Sequence, residues 1–151
     1  MTDMADNTNA KLIAAAFEGQ KKSYCPYSQF RVGAAVVSED GKVFSGANVE
    51  NASYGGAICA ERTSLVKAVS EGCTNLSGLA VVSDLDEPIT PCGICRQFLR
   101  EFFAPRTPIL LVSQSHHANA NRRDTDYAGE VVIKTNIEEL LPRSFGPEQL
   151  G

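Results

Sequence analysis

Apolar positions along this chain follow two kinds of pattern, which predict helices and buried strands respectively. The spacing of Leu12, Ile13, Ala16 and Phe17 is typical of one helix face, whereas residues 30–38 are small and β-branched, as in a buried strand. Applied along the whole chain, these patterns predict helices over residues 9–22, 58–72, 93–103 and 137–141 and strands over residues 30–38, 43–47, 79–83, 108–112 and 130–135.

The order of these elements indicates the fold class. Helices alternate with strands in the middle of the chain, which favours parallel pairing and helices on both sheet faces. The sequence therefore predicts an α/β protein, a three-layer α/β/α sandwich around a mixed five-stranded sheet. Residues 1–151 are expected to form a single domain, with residues 1–8 as a flexible tail and residues 113–129 as a long polar surface loop.

Charge and composition narrow the function classes. The formal net charge of −4 argues against a polynucleotide substrate, which requires a cationic face. No apolar run approaches the roughly 18 residues of a membrane span. The polar N-terminal residues lack the basic start and apolar stretch of a secretory signal, so we expect a cytoplasmic, reducing environment. The odd count of five cysteines argues against a disulfide framework and favours metal or redox chemistry.

Three cysteines lie in two short motifs, CAER at residues 59–62 and PCGIC at residues 91–95, each at the expected start of a helix. Cys92 and Cys95 are three residues apart and so face the same way, and Cys59 would supply a third ligand. Three protein ligands leave the fourth position of a tetrahedral zinc ion open to water, whose pKa falls to about 7. The motifs therefore predict one catalytic Zn²⁺ per chain.

Two side chains beside Cys59 match that chemistry. Glu61 is the candidate general acid and base, and Cys59 must lie at the helix entry if both side chains are to reach one pocket. Arg62 is the candidate donor to the thiolates, offsetting their charge as an outer ligand shell does. The combination is typical of zinc enzymes that deaminate nucleobases.

Four segments together give a resemblance that spans nearly the whole chain. They are YCPYSQFRVGAA at residues 24–35, NVENASY at 48–54 running on to CAER, PCGICRQ at 91–97 and LLPRSFGP at 140–147. The chain resembles the small, homotetrameric cytidine deaminases. The resemblance implies hydrolysis of cytidine and 2'-deoxycytidine to uridine and 2'-deoxyuridine with release of ammonia, as part of pyrimidine salvage.

The same resemblance implies the residues that bind substrate. Phe30 would stack on the pyrimidine, and Asn48 and Glu50 would bind the ribose hydroxyl groups. The remaining implied contacts are the backbone around Ala52 and Ala60 and, completing a neighbouring subunit's pocket, Tyr54 and Phe145. A homotetramer with shared active sites follows, acting on a nucleoside and binding neither nucleic acid nor membrane.

Several alternatives stand beside this hypothesis. Within enzymes, the alternative is a deaminase of a cytosine-containing aminoacylnucleoside antibiotic of the blasticidin type. Outside enzymes, the alternatives are a structural zinc site, a redox CxxC pair or a nucleoside-binding module. Four residues receive no site role: Cys25 and Cys73 are interpreted as small, partly buried thiols, and His116 and His117 as solvated loop residues.

Overall fold

The computed structural model of the chain describes residues 2–116 and 131–151, with side chains from residue 4 onward. Five strands form one sheet in the order β2–β1–β3–β4–β5. They are Val32–Ser38 (β1), Val43–Ala47 (β2), Leu76–Ser83 (β3), Ile109–Val112 (β4) and Val132–Thr135 (β5). Strands β3 and β4 run parallel and the other neighbouring pairs run antiparallel, which confirms the expected mixed sheet.

Helices cover both faces of this sheet. They are Thr2–Gln20 (α1), Ala60–Ser70 (α2), Gly93–Phe102 (α3) and Ile137–Leu140 (α4). Helix α1 packs on one face with an apolar cluster that includes Leu12 and Val37. On the other face, Leu65 of α2, Leu99 of α3 and Ile137 of α4 share a second cluster. The predicted three-layer α/β/α arrangement is therefore confirmed.

The burial of strand β1 explains why residues 32–37 form a continuous run of apolar and small residues. Ala34 and Val36 belong to the cluster beneath α2, and Ala35 and Val37 belong to the cluster beneath α1. A strand covered on both faces needs apolar residues at every position and not at alternate ones. On the neighbouring strand, a β-carbon at Gly46 would lie 2.5 Å from the backbone nitrogen of Ser64, so α2 can approach β2 only over a glycine.

The beginning of the chain differs from the expectation. Helix α1 begins at Thr2, so most of the residues predicted to form a flexible tail are its first two turns. Residues 4–8 are exposed, which explains why they show no apolar periodicity, and the Thr8 hydroxyl donates to the carbonyl oxygen of Met4 within the helix. The remaining boundaries agree with the predicted elements to within three residues.

The predicted polar loop over residues 113–129 is described only at its start. The Ser113 amide donates to the Val131 carbonyl at 2.8 Å, and the rest of that prediction, with His117, lies outside the described residues. Over the described ranges, no helix is both long and apolar enough to span a membrane.

Candidate metal centre and active site

Two helix N-termini meet at one end of the sandwich and carry the cysteines. Cys59 precedes α2 and Cys92 precedes α3, both in extended backbone conformation with ψ of 155° and 166°. Cys59 thus lies at the helix entry, as expected from the need for Cys59 and Glu61 to share a pocket. The partial positive charge of each helix N-terminus favours thiolates at these positions.

The three sulfur atoms are spaced as one zinc ion requires. The Sγ atoms of Cys59, Cys92 and Cys95 all lie within 4.8 Å of one another, and those of Cys59 and Cys92 are 3.9 Å apart. Tetrahedral ligands at a Zn–S distance of about 2.3 Å lie about 3.8 Å from each other. The donor set and its spacing therefore fit zinc. Elsewhere in the described part of the chain, no other group of three such side chains converges.

Arg62 lies against this cluster. Its Nη2 donates to Cys59 Sγ at 3.6 Å, and its Nε is buried without a hydrogen-bond partner among the described residues. Hydrogen bonds from Cys95 and Arg62 lower the pKa of Cys59 to about 5 in spite of its burial. The pKa of Cys95 is raised by its interaction with the Cys59 sulfur and by burial. The structure thus brings together the predicted ligands and the predicted charge-offsetting arginine.

Glu61 lies in the first turn of α2, only 5% exposed. Its Oε2 accepts a hydrogen bond from Cys95 Sγ at 3.8 Å. Burial raises the pKa of Glu61 to about 7, with a smaller contribution from the charge of Cys59. A carboxyl group that titrates near neutral pH can both accept and donate a proton under physiological conditions, as general acid–base catalysis requires.

The structure contains a cavity of about 330 Å³. It is lined by Tyr27, Ser28, Glu50, Asn51, Tyr54 and Ala57, the last being two residues before Cys59. Of the residues predicted to contact substrate, Glu50 and Tyr54 line this cavity. Tyr27, Ser28 and Asn51 were missed as lining residues, although the segments that carry the resemblance contain all three.

Asn48 and Glu50 organise the chain around Phe30. Asn48 Nδ2 donates to the Phe30 carbonyl at 2.8 Å, and Asn48 Oδ1 accepts from the Val32 amide at 2.9 Å. Glu50 Oε1 accepts from the amides of Tyr27 and Ser28, each at 3.1 Å. Asn48 and Glu50, the two side chains predicted to bind ribose, thus also hold the backbone of residues 27–32, which includes Phe30, through hydrogen bonds.

The other predicted contact residues differ widely in exposure. Ala60 is fully buried and Ala52 is exposed. Tyr54 and Phe145 are 78% and 59% exposed, so within one chain their rings are largely uncovered. The Phe145 carbonyl accepts from Gln97 Nε2 at 3.2 Å, which ties the C-terminal segment to α3.

Cys25, Cys73 and His116, the described residues without a predicted role, are not part of the sulfur cluster. Cys25 and Cys73 are free, partly buried thiols, in agreement with their interpretation. His116 differs: it is partly buried and its ring stacks on that of Phe17 in α1, with centroids 6.4 Å apart. Its interpretation as a solvated residue is therefore wrong.

Comparison with known proteins decides the family. A family model described as the cytidine and deoxycytidylate deaminase zinc-binding region matches residues 6–111, which include all three converging cysteines. The chain belongs to this deaminase family. The predicted resemblance, the zinc cofactor and the class of zinc-dependent hydrolase are thereby confirmed.

Members of the family resemble this chain over most of its length. A cytidine deaminase of Sporosarcina psychrophila is 40% identical over 141 residues, covering 93% of each chain. One of Halalkalibacterium halodurans is 41% identical over 140 residues, covering 93% of this chain and 96% of the relative.

Solved structures of cytidine deaminases also resemble this chain. The crystal structure of cytidine deaminase from Burkholderia pseudomallei superposes with a TM-score of 0.76 at 42% identity, covering 89% of this chain and 97% of that one. The cytidine deaminase of Mycobacterium tuberculosis gives a TM-score of 0.70 at 34% identity, covering 90% and 95%. The fold of this chain is therefore that of cytidine deaminase structures.

Proposed function

We propose that residues 1–151 form one deaminase domain that hydrolyses cytidine and 2'-deoxycytidine to uridine and 2'-deoxyuridine, releasing ammonia, in pyrimidine salvage. The observation that carries the proposal is the buried Glu61 carboxyl, which is hydrogen-bonded to Cys95, one of three converging thiols. The similar proteins from Sporosarcina psychrophila and Halalkalibacterium halodurans are cytidine deaminases, which supports the same substrate here.

Cys59, Cys92 and Cys95 would hold the zinc ion, one per chain. When bound, zinc makes water acidic enough to act as a nucleophile near neutral pH. Arg62 donates a hydrogen bond to Cys59, which offsets the excess negative charge of three thiolates around a dication. This neutralisation preserves the acidity that the reaction requires.

Glu61 would move the protons. Its carboxylate would accept the first proton of the attacking water and pass it to the ring nitrogen N3. It would then accept the remaining hydroxyl proton and pass it to the departing amine. The overall reaction consumes one water and releases one ammonia, so Glu61 ends each turnover as it began. Burial raises the pKa of Glu61 to about 7 in the zinc-free chain, which supports a role for this carboxyl in proton exchange.

The cavity supports a nucleoside substrate and argues against a nucleotide. Hydrogen bonds from Ser28 and the Tyr27 amide lower the pKa of Glu50 despite partial desolvation, so this side chain is a carboxylate at neutral pH. No lysine or arginine is among the six residues that line the cavity in the described chain. The negative charge of Glu50 repels a phosphate group, whereas its carboxylate oxygens accept hydrogen bonds from ribose hydroxyl groups.

The remaining substrate contacts are proposed from the resemblance. Phe30 would stack on the pyrimidine, with Asn48 and Glu50 on the ribose and the backbone around Ala52 and Ala60 on the base and sugar. Asn48 retains a second amide hydrogen beyond the one given to Phe30, so it can donate to a ribose hydroxyl while it supports the loop.

A homotetramer with shared active sites, located in the cytoplasm, completes the proposal. The exposed rings of Tyr54 and Phe145 support a role in a neighbouring subunit's pocket, because uncovered aromatic side chains are typical of interfaces. Ile94, 66% exposed at the start of α3, extends the apolar surface available to a partner subunit. Five free cysteines are consistent with a reducing compartment.

The first experiment is direct turnover by the zinc-loaded protein. Cytidine, deoxycytidine and deoxycytidylate are each incubated with the enzyme while ultraviolet absorbance and ammonia release are followed. We expect both nucleosides to lose ammonia and the nucleotide to remain unchanged. A chain with one zinc ion that leaves both nucleosides intact would contradict the proposal and favour the antibiotic-nucleoside activity. Rapid turnover of deoxycytidylate would contradict the role assigned to the anionic cavity.

A further inference from the structure

Arg96, the residue after Cys95, contacts two distant parts of the chain with one guanidinium group. Its Nε donates to the Pro91 carbonyl at 2.7 Å, and its Nη2 donates to the Thr90 hydroxyl at 2.8 Å. Its Nη1 donates to the Leu140 carbonyl, also at 2.7 Å. Pro91 is the residue immediately before Cys92, and Leu140 is the last residue of α4.

The first two bonds act on the loop that presents Cys92. Cys95 is fully buried in the core, whereas Cys92 is exposed and its side chain makes no capping hydrogen bond to α3. Packing therefore holds Cys92 less firmly than Cys95. The guanidinium binds the peptide on the N-terminal side of Cys92, while the Arg96 amide donates to the Cys92 carbonyl at 2.9 Å. The amide bond is the ordinary helical one, so the contribution specific to the Arg96 side chain is to hold the chain on the N-terminal side of Cys92.

The third bond joins this loop to the C-terminal segment. A carbonyl in the last turn of a helix has no partner within the helix, so the Leu140 carbonyl requires an external donor. Arg96 supplies it, and the next residues of α3 hold the chain that follows. Gln97 donates to the Phe145 carbonyl, and Arg100 binds the Ser144 hydroxyl and pairs with Glu148.

We propose that Arg96 is a positioning residue for the metal centre, which fixes the Cys92 loop against α4 so that zinc is retained. The inference rests on the zinc site of the proposed function. Arg96 touches neither the ion nor the substrate. Its guanidinium acts through the Pro91 carbonyl and the Thr90 hydroxyl, just before Cys92, and through the Leu140 carbonyl. Only a planar group with several fixed donors satisfies three acceptors in these directions, so lysine is a poor substitute.

The chain offers a matched control one turn further along α3. Arg100 also uses its guanidinium to hold the C-terminal segment, and its side chain is 12% exposed, but its hydrogen bonds do not reach the Cys92 loop. Loss of Arg100 therefore weakens the C-terminal attachment alone. If Arg96 merely attached that segment, Arg96→Met and Arg100→Met would have the same effect on zinc.

The test measures zinc release from the fully loaded protein into an excess of chromogenic chelator. Loss of a residue that supports a metal ligand typically weakens metal affinity by about 10–100-fold. We expect Arg96→Met to release zinc at least about tenfold faster than wild type, Arg96→Lys to fall between them and Arg100→Met to stay within about twofold. The thermal midpoints of the zinc-free variants separate this effect from a general loss of stability.

The outcomes are distinct. Zinc release at the wild-type rate from Arg96→Met, or equal acceleration by Arg100→Met, would overturn the proposal. If Arg96→Met does not fold, Thr90→Val removes only one acceptor at the loop and should still accelerate release, whereas an unchanged rate in that variant would count against the role. A wild-type chain that retains zinc but leaves cytidine intact would overturn only the proposed reaction, and one that binds no zinc would overturn both.

Discussion

Replacement of Glu61 by glutamine separates its chemical role from its structural one. Glutamine has nearly the same shape but cannot exchange a proton at neutral pH. Because every proposed proton transfer passes through this carboxyl, we expect kcat to fall by a factor of about 10²–10⁴, the usual contribution of a positioned acid or base. The zinc content should remain at one ion per chain, since Cys59, Cys92 and Cys95 are unchanged.

The same substitution should stabilise the zinc-free fold at neutral and alkaline pH. Burial raises the pKa of Glu61 from 4.5 to about 7, which at 1.36 kcal/mol per pKa unit corresponds to about 3 kcal/mol. The folded state binds this proton more tightly than the unfolded state. The resulting stabilisation is complete below pH 4.5 and is lost as the pH rises through about 7. Glutamine carries no charge to bury, so Glu61→Gln removes this loss.

Urea unfolding of zinc-free protein between pH 4.5 and 8 measures the effect. The free energy of unfolding of Glu61→Gln, relative to wild type, should increase across this range by up to about 3 kcal/mol. Glu71→Gln, at the exposed end of the same helix, serves as the control and should change neither turnover nor this pH dependence. Turnover of Glu61→Gln within tenfold of wild type would refute the proton-transfer role. A stability difference independent of pH would refute the assigned pKa.

Three further substitutions test other parts of the structure. Cys92→Ser should weaken zinc binding itself, measured as substoichiometric zinc after dialysis; one firmly held ion with full activity would contradict that ligand. Asp84 accepts from the backbone amide of Arg31 at 2.7 Å and pairs with its side chain. Although partial burial opposes it, Arg31 lowers the pKa of Asp84, so this stabilisation exists above the ordinary value of 3.8 and is lost as the pH falls through the lower folded pKa. Asp84→Asn should therefore cost up to about 1 kcal/mol in urea unfolding at pH 7 and nothing once Asp84 is protonated, and an equal cost at both pH values would argue against the ion pair. Gly46→Ala would place a β-carbon 2.5 Å from the Ser64 nitrogen, so we expect a loss of about 1–3 kcal/mol, and an unchanged urea midpoint would show that α2 can move away freely.

Local pattern was sufficient for most elements of the fold. Strand β2 has the predicted bounds, and α3 begins at the predicted residue, because the apolar runs there are bounded by turn residues. The start of α1 was missed because residues 4–8 are exposed, so no apolar periodicity marks them. Periodicity reports burial, and a helix segment exposed on all sides lacks that signal.

The candidate site also has features that the sequence predicts and features that only the tertiary structure determines. The sequence by itself determined the chemistry: CAER and PCGIC together contain three soft ligands, a candidate acid and base, and an arginine that can offset thiolate charge. Only the tertiary structure decided that Cys59 and Cys92, 33 positions apart, lie 3.9 Å from each other. It also decided that Asn48 and Glu50 support the Phe30 loop, that Glu61 is buried enough to titrate near 7, and that Arg96 reaches a carbonyl 44 positions away. The physical reason is that residue type and local spacing are written in the chain, whereas burial and long-range contact arise only when the sheet register brings the two helix N-termini together.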